Sequence, residues 1–185
     1  TPLTTTHYQA QEKQVSWHGV GMVDGDVFNA FMADDVTARL HDTEGTALFQ
    51  SHLRGLASTG FESRALQEIL EADVPEERDW AVGEAMAEAY LAREHEITWP
   101  WNMERDKRTP RASLPGADLV GFKTYGTDVH LALGEVKTST DQSAPPNVMH
   151  GRSGMTHQID TLGTNLSIIH QLLKWLLPRC KGTAH

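Results

Sequence analysis

The chain has 185 residues, of which 39% are hydrophobic and 22% are charged, and it contains a single cysteine. This length suits one domain of ordinary size, and the composition argues against wholesale disorder. The single cysteine excludes a disulfide-stabilised scaffold and a cysteine-based zinc site. No apolar run approaches the length of a membrane span, so a soluble, cytoplasmic protein is expected.

The net charge of −9 is unevenly distributed along the chain. Residues 1–98 contain 6 basic and 18 acidic side chains, whereas residues 99–185 contain 10 basic and 7 acidic ones. The C-terminal half is therefore the part of the chain that can bind a polyanion such as DNA. The acidic N-terminal half suggests a surface for a protein partner or for a second copy of the chain.

Helical patterns follow a polar start in the first 74 residues. Residues 1–20 are interpreted as an arm or an early strand. Apolar residues recur at helical intervals from Asp26 to about Leu40, and further helices are predicted over residues 48–56 and 61–71. The sequence therefore predicts a mainly helical N-terminal extension over residues 1–74, followed by a second region over residues 75–185 that either packs with it as one domain or forms a separate one.

The second region begins with a predicted helix from Pro75 to about Glu94, which has proline and acidic residues in its first turn. Trp99-Pro100-Trp101-Asn102 then breaks the helical pattern. The two tryptophans are expected to anchor this loop to the core, and base stacking is the alternative.

Residues 114–137 alternate in the manner of a β-hairpin, with its turn at residues 125–128. The expected register pairs residue 122 with about residue 129. A polar loop over residues 138–150 follows, and then a helix over residues 154–177 with a break near Gly163.

Three chemically distinctive residues fall at the open end of this hairpin. Glu135 and Lys137 are two apart in a strand and so share one face, while Asp118 begins the partner strand.

Adjacent carboxylates repel each other, and a divalent cation between them removes that cost. Oxygen ligands, to which the carbonyl of Val136 could add, favour Mg²⁺ or Mn²⁺. A lysine beside such a metal can orient a water and stabilise phosphate charge, as metal-assisted phosphodiester hydrolysis requires. The alternative is an exposed ion pair on a surface hairpin.

Asp118…Glu135-Val136-Lys137 resembles the catalytic core of the PD-(D/E)xK nuclease superfamily, with Pro115-Gly116-Ala117-Asp118 in place of the family's Pro-Asp. The resemblance implies a restriction-endonuclease-like α/β fold, in which helices flank a mixed central sheet. It also implies a Mg²⁺-dependent (or Mn²⁺-dependent) endonuclease that acts on DNA in restriction, anti-phage defence or repair. Asp118 and Glu135 would hold the metal, and Lys137 would orient the attacking water.

The resemblance covers about residues 75–170 and assigns further roles outside the hairpin. In this superfamily the preceding helix often supplies another glutamate to the metal site. Glu84 matches that position best, and Glu88 on the same face is the alternative. Gln158 lies at the start of the following helix, where it would position the phosphate or the lysine.

Basic residues near the hairpin are candidates for phosphate contacts, and a solvated loop is the alternative interpretation. They are Arg105, Lys107, Arg108, Arg111 and Arg152. A second class of function also stays open, in which the chain is a non-catalytic module of a larger defence complex, or a nuclease held inactive by a partner.

Overall fold

The computed structural model describes residues 2–12, 14–56, 79–102 and 117–181. The predicted helix over 61–71, the start of the helix predicted from Pro75, and the basic residues Arg105, Lys107, Arg108 and Arg111 lie outside these ranges. Within them, α-helices surround two small antiparallel sheets. No helix in the described part of the chain is long and apolar enough to cross a membrane.

The chain begins with a β-hairpin formed by β1 (Thr4–Glu12) and β2 (Val15–Met22). The strands pair from Thr4 with Met22 to Glu12 with Val15, and the register is irregular between Thr6 and Tyr8. The expected early strand is therefore one arm of a two-stranded ribbon. The extension predicted to be mainly helical becomes helical only from residue 26, because the alternating polar stretch before it pairs with itself.

The helix predicted from Asp26 to about Leu40 is confirmed. It consists of α1 (Asp26–Ala30), a π-helical segment (Phe31–Val36) and α2 (Thr37–Leu40). The wider π-helical turn is a form of helix that is common near functional or strained positions. After a short turn, α3 (Thr43–Leu56) follows.

Helix α4 (Asp79–His95) connects the N-terminal elements to the rest of the molecule. Its alanines at 81, 85 and 89 are buried, and their small side chains let the helix pack closely. Ala85 and Ala89 form one hydrophobic core with Leu3, Phe31 and Val36. This packing joins residues of the predicted extension directly to the helix that precedes the second hairpin in the chain.

The second hairpin consists of β3 (Leu119–Tyr125) and β4 (Asp128–Gly134). The predicted turn at residues 125–128 is confirmed, because Tyr125 pairs with Asp128 across a two-residue loop. Gly126 has φ 63°, the left-handed conformation that such a tight loop requires at its first position.

This two-residue loop corrects the expected register. Phe122 pairs with Leu131 and not with a residue near 129. A difference of two residues leaves every side chain on its expected face. The observed register ends at Leu119 and Gly134, so the two predicted metal ligands, Asp118 and Glu135, flank the last pair of the hairpin.

The other edge of β3 pairs with Thr98, which exchanges two backbone hydrogen bonds with Phe122, at 2.8 and 2.9 Å. The described strands thus form two separate antiparallel sheets and no mixed central sheet. Both sheets are hairpins joined by loops of two residues, and such short loops can only produce antiparallel pairing. The broad class of mixed helices and strands is as predicted, whereas the finer restriction-endonuclease-like arrangement stays a prediction.

Two helices close the chain, α5 (Met155–Thr164) and α6 (Leu166–Cys180). The break between them is at Asn165, slightly after the expected Gly163, because the Asn165 side chain caps α6 by accepting the N–H groups of Ser167 and Ile168. The last helix continues through Pro178 to Cys180. A second core forms between these helices and one face of the β3–β4 hairpin, from Val120, Phe122, Leu162, Leu172 and Leu176.

Candidate active site

The open end of the β3–β4 hairpin brings Asp118 and Glu135 together. The last paired residues are Leu119 and Gly134, and the N–H of Asp118 donates to the Gly134 carbonyl at 2.9 Å. Asp118 and Glu135 flank this last pair, and a hydrogen bond between their side chains contributes to the pKa of Glu135. The open end of the hairpin therefore carries two neighbouring carboxylates.

Asp118 also fixes the backbone that follows β4. Its Oδ2 atom accepts a hydrogen bond from the N–H of Val136 at 2.9 Å. The strand pairing ends at Gly134, so the carboxylate serves here as the acceptor that a neighbouring strand would otherwise provide. Hydrogen bonds to a charged acceptor are stronger than neutral ones, and this bond sets the orientation of the Asp118 side chain.

Glu135 and Lys137 are neighbours, as their spacing predicted. The Lys137 Nζ atom lies 2.6 Å from Glu135 Oε1, and the two side chains are 29% and 16% exposed. This ion pair is too well covered to be an ordinary solvated surface contact. Glu135 and Lys137 both lie beyond the end of β4 at Gly134, so the segment after the strand, and not the strand itself, carries them.

The surroundings of Glu135 favour its neutral form. Burial raises the pKa of this carboxyl, and the nearby negative charge of Asp118 and a hydrogen bond with it raise the pKa further, although Lys137 acts in the opposite direction. Lys137 thus does not offset the combined effect of burial and of the Asp118 charge on Glu135, and the two carboxylates outnumber the one ammonium. A site with this excess of negative charge is suited to a cation.

The structure gives the two glutamates of α4 different surroundings. Glu88 is 3% exposed, its Oε2 atom lies 3.7 Å from Arg39 Nη1, and its backbone carbonyl accepts the indole N–H of Trp99. Glu88 therefore belongs to the packing between α4 and the N-terminal helices.

Glu84 is half-buried and lies one turn earlier in α4. The preceding residue, Gly83, is packed so closely against Thr138 that a β-carbon at position 83 would overlap the threonine hydroxyl. The turn of α4 that carries Glu84 is therefore adjacent to the segment that carries Glu135 and Lys137. Gly83 and Thr138 were not among the predicted site residues. A glycine in the interior of a helix is nevertheless a signal of close packing.

Gln158 lies in the first turn of α5, as predicted. Its Oε1 atom is buried and has no hydrogen-bond donor among the described residues, and the same holds for the hydroxyl of Thr156. The structure thus provides no direct bond between Gln158 and Lys137. Because a buried acceptor without a donor costs about 1–3 kcal/mol, the amide oxygen is a group suited to a bound water or ligand.

Arg152 and the two tryptophans, the other residues considered for nucleic-acid contacts, lie in different surroundings. Arg152 is exposed in the loop before α5. Trp99 is buried between α4 and β3, where its ring leaves no room for a side chain at Gly121. Trp101 packs against Phe122 and Trp175. Both tryptophans anchor the loop to the core, as the first of the two interpretations predicted.

A cavity of about 860 Å³ lies elsewhere, between the N-terminal helices, α4 and Trp99–Asn102. Its lining combines acidic side chains with Arg39 and Arg93, and Arg93 lies 3.5 Å from Asp35. Asp118, Glu135 and Lys137 do not line it. The candidate site is therefore at the end of the hairpin and separate from this cavity.

The donor set at the hairpin end fits a small hard cation in kind, since it offers two carboxylates and the backbone carbonyl of Val136. Among the described residues, no group of three histidine, cysteine, aspartate or glutamate side chains is arranged to hold a metal. Mg²⁺ commonly binds through one or two carboxylates and keeps several waters, so a pair of carboxylates meets its requirements.

Comparisons of the chain with protein-family models, with curated proteins and with solved structures gave no match.

Proposed function

We propose that the chain is a Mg²⁺-dependent nuclease that hydrolyses phosphodiester bonds in DNA, in a role such as restriction, anti-phage defence or repair. The observation that carries this proposal is the position of Asp118 and Glu135 at the open end of one hairpin, where the Asp118 carboxylate accepts the N–H of Val136 and the Lys137 ammonium lies 2.6 Å from Glu135. Two carboxylates and one lysine at the end of a hairpin are the groups that metal-assisted attack on a phosphate needs.

Asp118 and Glu135 would hold the metal, with the carbonyl of Val136 as a further ligand and Glu84 as an additional ligand or water-positioning group. When bound, Mg²⁺ polarises the phosphate and makes a bound water more acidic. Asp118 is already oriented for this task by its bond to Val136. The raised pKa of Glu135, caused by burial and by Asp118, supports a cation as the missing counter-charge.

Lys137 would orient the attacking water and stabilise the additional negative charge of the transition state. Its ammonium is already beside the proposed metal ligands, so it would need little movement to reach a phosphate held there. The Oε1 atom of Gln158 has no hydrogen-bond donor among the described residues. This supports a role in which it accepts a hydrogen bond from a water of the site or from the Lys137 ammonium.

The charge distribution supports DNA as the substrate. The C-terminal half, which contains the hairpin, has more basic than acidic residues, while the N-terminal half is strongly acidic. Arg152 is exposed before α5 and is available for the sequence-independent phosphate contacts that dominate nucleic-acid affinity.

The proposal is tested by plasmid cleavage with Mg²⁺ or Mn²⁺, comparing the wild type with Glu135→Ala and Lys137→Ala. We expect cleavage by the wild type and a loss of at least about a hundredfold in both variants, since each removes a group that acts in the transition state. Lys174→Ala, which changes an exposed lysine of α6, is the matched control and should cleave normally. Equal cleavage by the wild type and the two site variants contradicts the assignment.

A second candidate function is a non-catalytic or partner-gated module of a larger defence complex, which uses the acidic N-terminal half as an interaction surface for another protein or for a second copy. It is favoured by the strongly acidic composition of residues 1–98, which suits a protein partner better than a nucleic acid. A Mn²⁺ titration separates the alternatives. Binding that is lost in Asp118→Asn supports the nuclease, whereas a folded wild type without Mn²⁺ affinity supports the non-catalytic module.

A further inference from the structure

The segment that carries Glu135 and Lys137 is held at two points after the end of β4. On one side, the N–H of Val136 donates to Asp118. On the other side, Thr138 contacts α4 at Gly83. No backbone hydrogen bond to a neighbouring strand continues over residues 135–138 within the described structure. These two contacts are therefore well placed to determine where the segment lies.

The helical conformation of α4 does not explain why residue 83 is a glycine. Glycine is unfavourable in the interior of a helix, because it loses more conformational freedom than alanine. Gly163 in α5 has open space around its β-position, whereas at Gly83 the Thr138 hydroxyl occupies the volume of a β-carbon. The missing side chain at 83 thus allows the two backbones to approach.

We propose that Gly83 and Thr138 are positioning residues of the site, since their contact sets the distance between α4, with its Glu84, and the segment that holds Glu135 and Lys137. This inference rests on the proposed nuclease function. A side chain at residue 83 would separate the two elements and thereby weaken a metal site that needs groups from both. Neither residue need touch the metal or the substrate.

A double-mutant cycle tests this proposal. In Gly83→Ala the new β-carbon overlaps the threonine hydroxyl, whereas the Thr138 β-carbon lies 3.4 Å from the same position, an ordinary van der Waals contact. Adding Thr138→Ala to Gly83→Ala removes the hydroxyl and the methyl group and restores the close approach. The control Gly163→Ala places the same methyl group in open space on another helix.

The first readout is Mn²⁺ affinity. We expect Gly83→Ala to weaken it about 10- to 100-fold, the range found when groups behind metal ligands are changed. The double variant should return to within about threefold of the wild type by the same reasoning, and Gly163→Ala should bind normally. Unchanged affinity in Gly83→Ala, or no recovery in the double variant, overturns the proposal.

The second readout is hydrogen exchange of the Val136 amide, which does not depend on metal binding. We expect about tenfold faster exchange in Gly83→Ala, since displacement of the segment weakens the bond to Asp118, and recovery in the double variant. If the wild type binds no Mn²⁺, the proposed function fails while this readout still decides the contact. Unchanged exchange in Gly83→Ala overturns the contact itself.

Should Gly83→Ala fail to fold, Thr138→Ile approaches the same contact from the other side. Thr138 is otherwise largely exposed, so the fold can accommodate a larger side chain there. The expected result is again weaker Mn²⁺ binding and faster Val136 exchange, and wild-type values in both measurements overturn the proposal.

Discussion

The carboxylate of Asp118 accepts the N–H of Val136 at 2.9 Å, and this bond joins the start of one strand to the segment beyond the other. It couples the folding of the hairpin to the geometry of the candidate site. The same side chain that would bind a metal also determines the position of the residue after Glu135. The structural and chemical contributions of Asp118 must therefore be separated by substitution.

Asp118→Asn and Asp118→Ala separate these two contributions. Asparagine keeps an oxygen that can accept from Val136 but lacks the charge, so we expect near-normal stability and at least tenfold weaker Mn²⁺ binding. Alanine also loses the hydrogen bond and should reduce the free energy of unfolding by a further 1–2 kcal/mol, roughly. Chemical denaturation and Mn²⁺ titration measure the two effects. Equal stability of the two variants would show that the bond contributes little.

Glu135→Gln should stabilise the fold at neutral pH while it removes activity. Burial and the charge of Asp118 raise the pKa of Glu135, so its ionised form costs stability in the folded state. That cost is absent below the pKa of the unfolded chain and develops as the pH rises through the folded-state pKa. We expect the variant to melt about 1–3 °C above the wild type at pH 7, with the difference shrinking toward pH 4. A difference independent of pH would contradict this explanation.

Glu84 and Glu88 lie one turn apart in α4 and should respond in opposite ways. Glu88→Ala breaks a buried contact with Arg39, so we expect a loss of about 1–3 kcal/mol in stability. Its cleavage per folded molecule should remain normal, since the glutamate faces the N-terminal helices. Glu84→Ala should retain stability within about 0.5 kcal/mol and lose cleavage by tenfold or more. Thermal denaturation and plasmid cleavage on both variants check this pair, and the reverse pattern would assign the catalytic role to Glu88.

Asp141 organises the loop between the candidate site and α5. It accepts the N–H groups of Ser143 and Asn147 and the Ser143 hydroxyl, and these bonds lower its pKa to about 2. Its stabilising effect is therefore present above the pKa of the unfolded chain and is lost as the pH falls toward 2. Asp141→Ala should melt below the wild type at pH 6, and the difference should disappear in acid. Melting temperatures measured from pH 6 to pH 2 test this expectation.

The spacing of residues in the sequence was sufficient to predict most of the described helices and the second hairpin. Alternating and helical spacings depend only on neighbouring residues, which is why the helix from Asp26 to Leu40, the tight turn at Gly126 and the second hairpin agree with expectation. The contact between Glu135 and Lys137 belongs to the same class, because the two residues are only two positions apart in the chain.

Contacts between residues that are distant in the sequence could be seen only in the folded structure. A loop of two residues set the register, which ends at Leu119 and Gly134 and so brings Asp118 and Glu135 to the same end of the hairpin. The pairing of Glu88 with Arg39 and the approach of Gly83 to Thr138 join residues about 50 positions apart. Such contacts depend on how whole helices and hairpins pack, and no local periodicity records that packing. For this reason the sequence could name the candidate carboxylates, whereas their burial and the contacts that position them came from the fold.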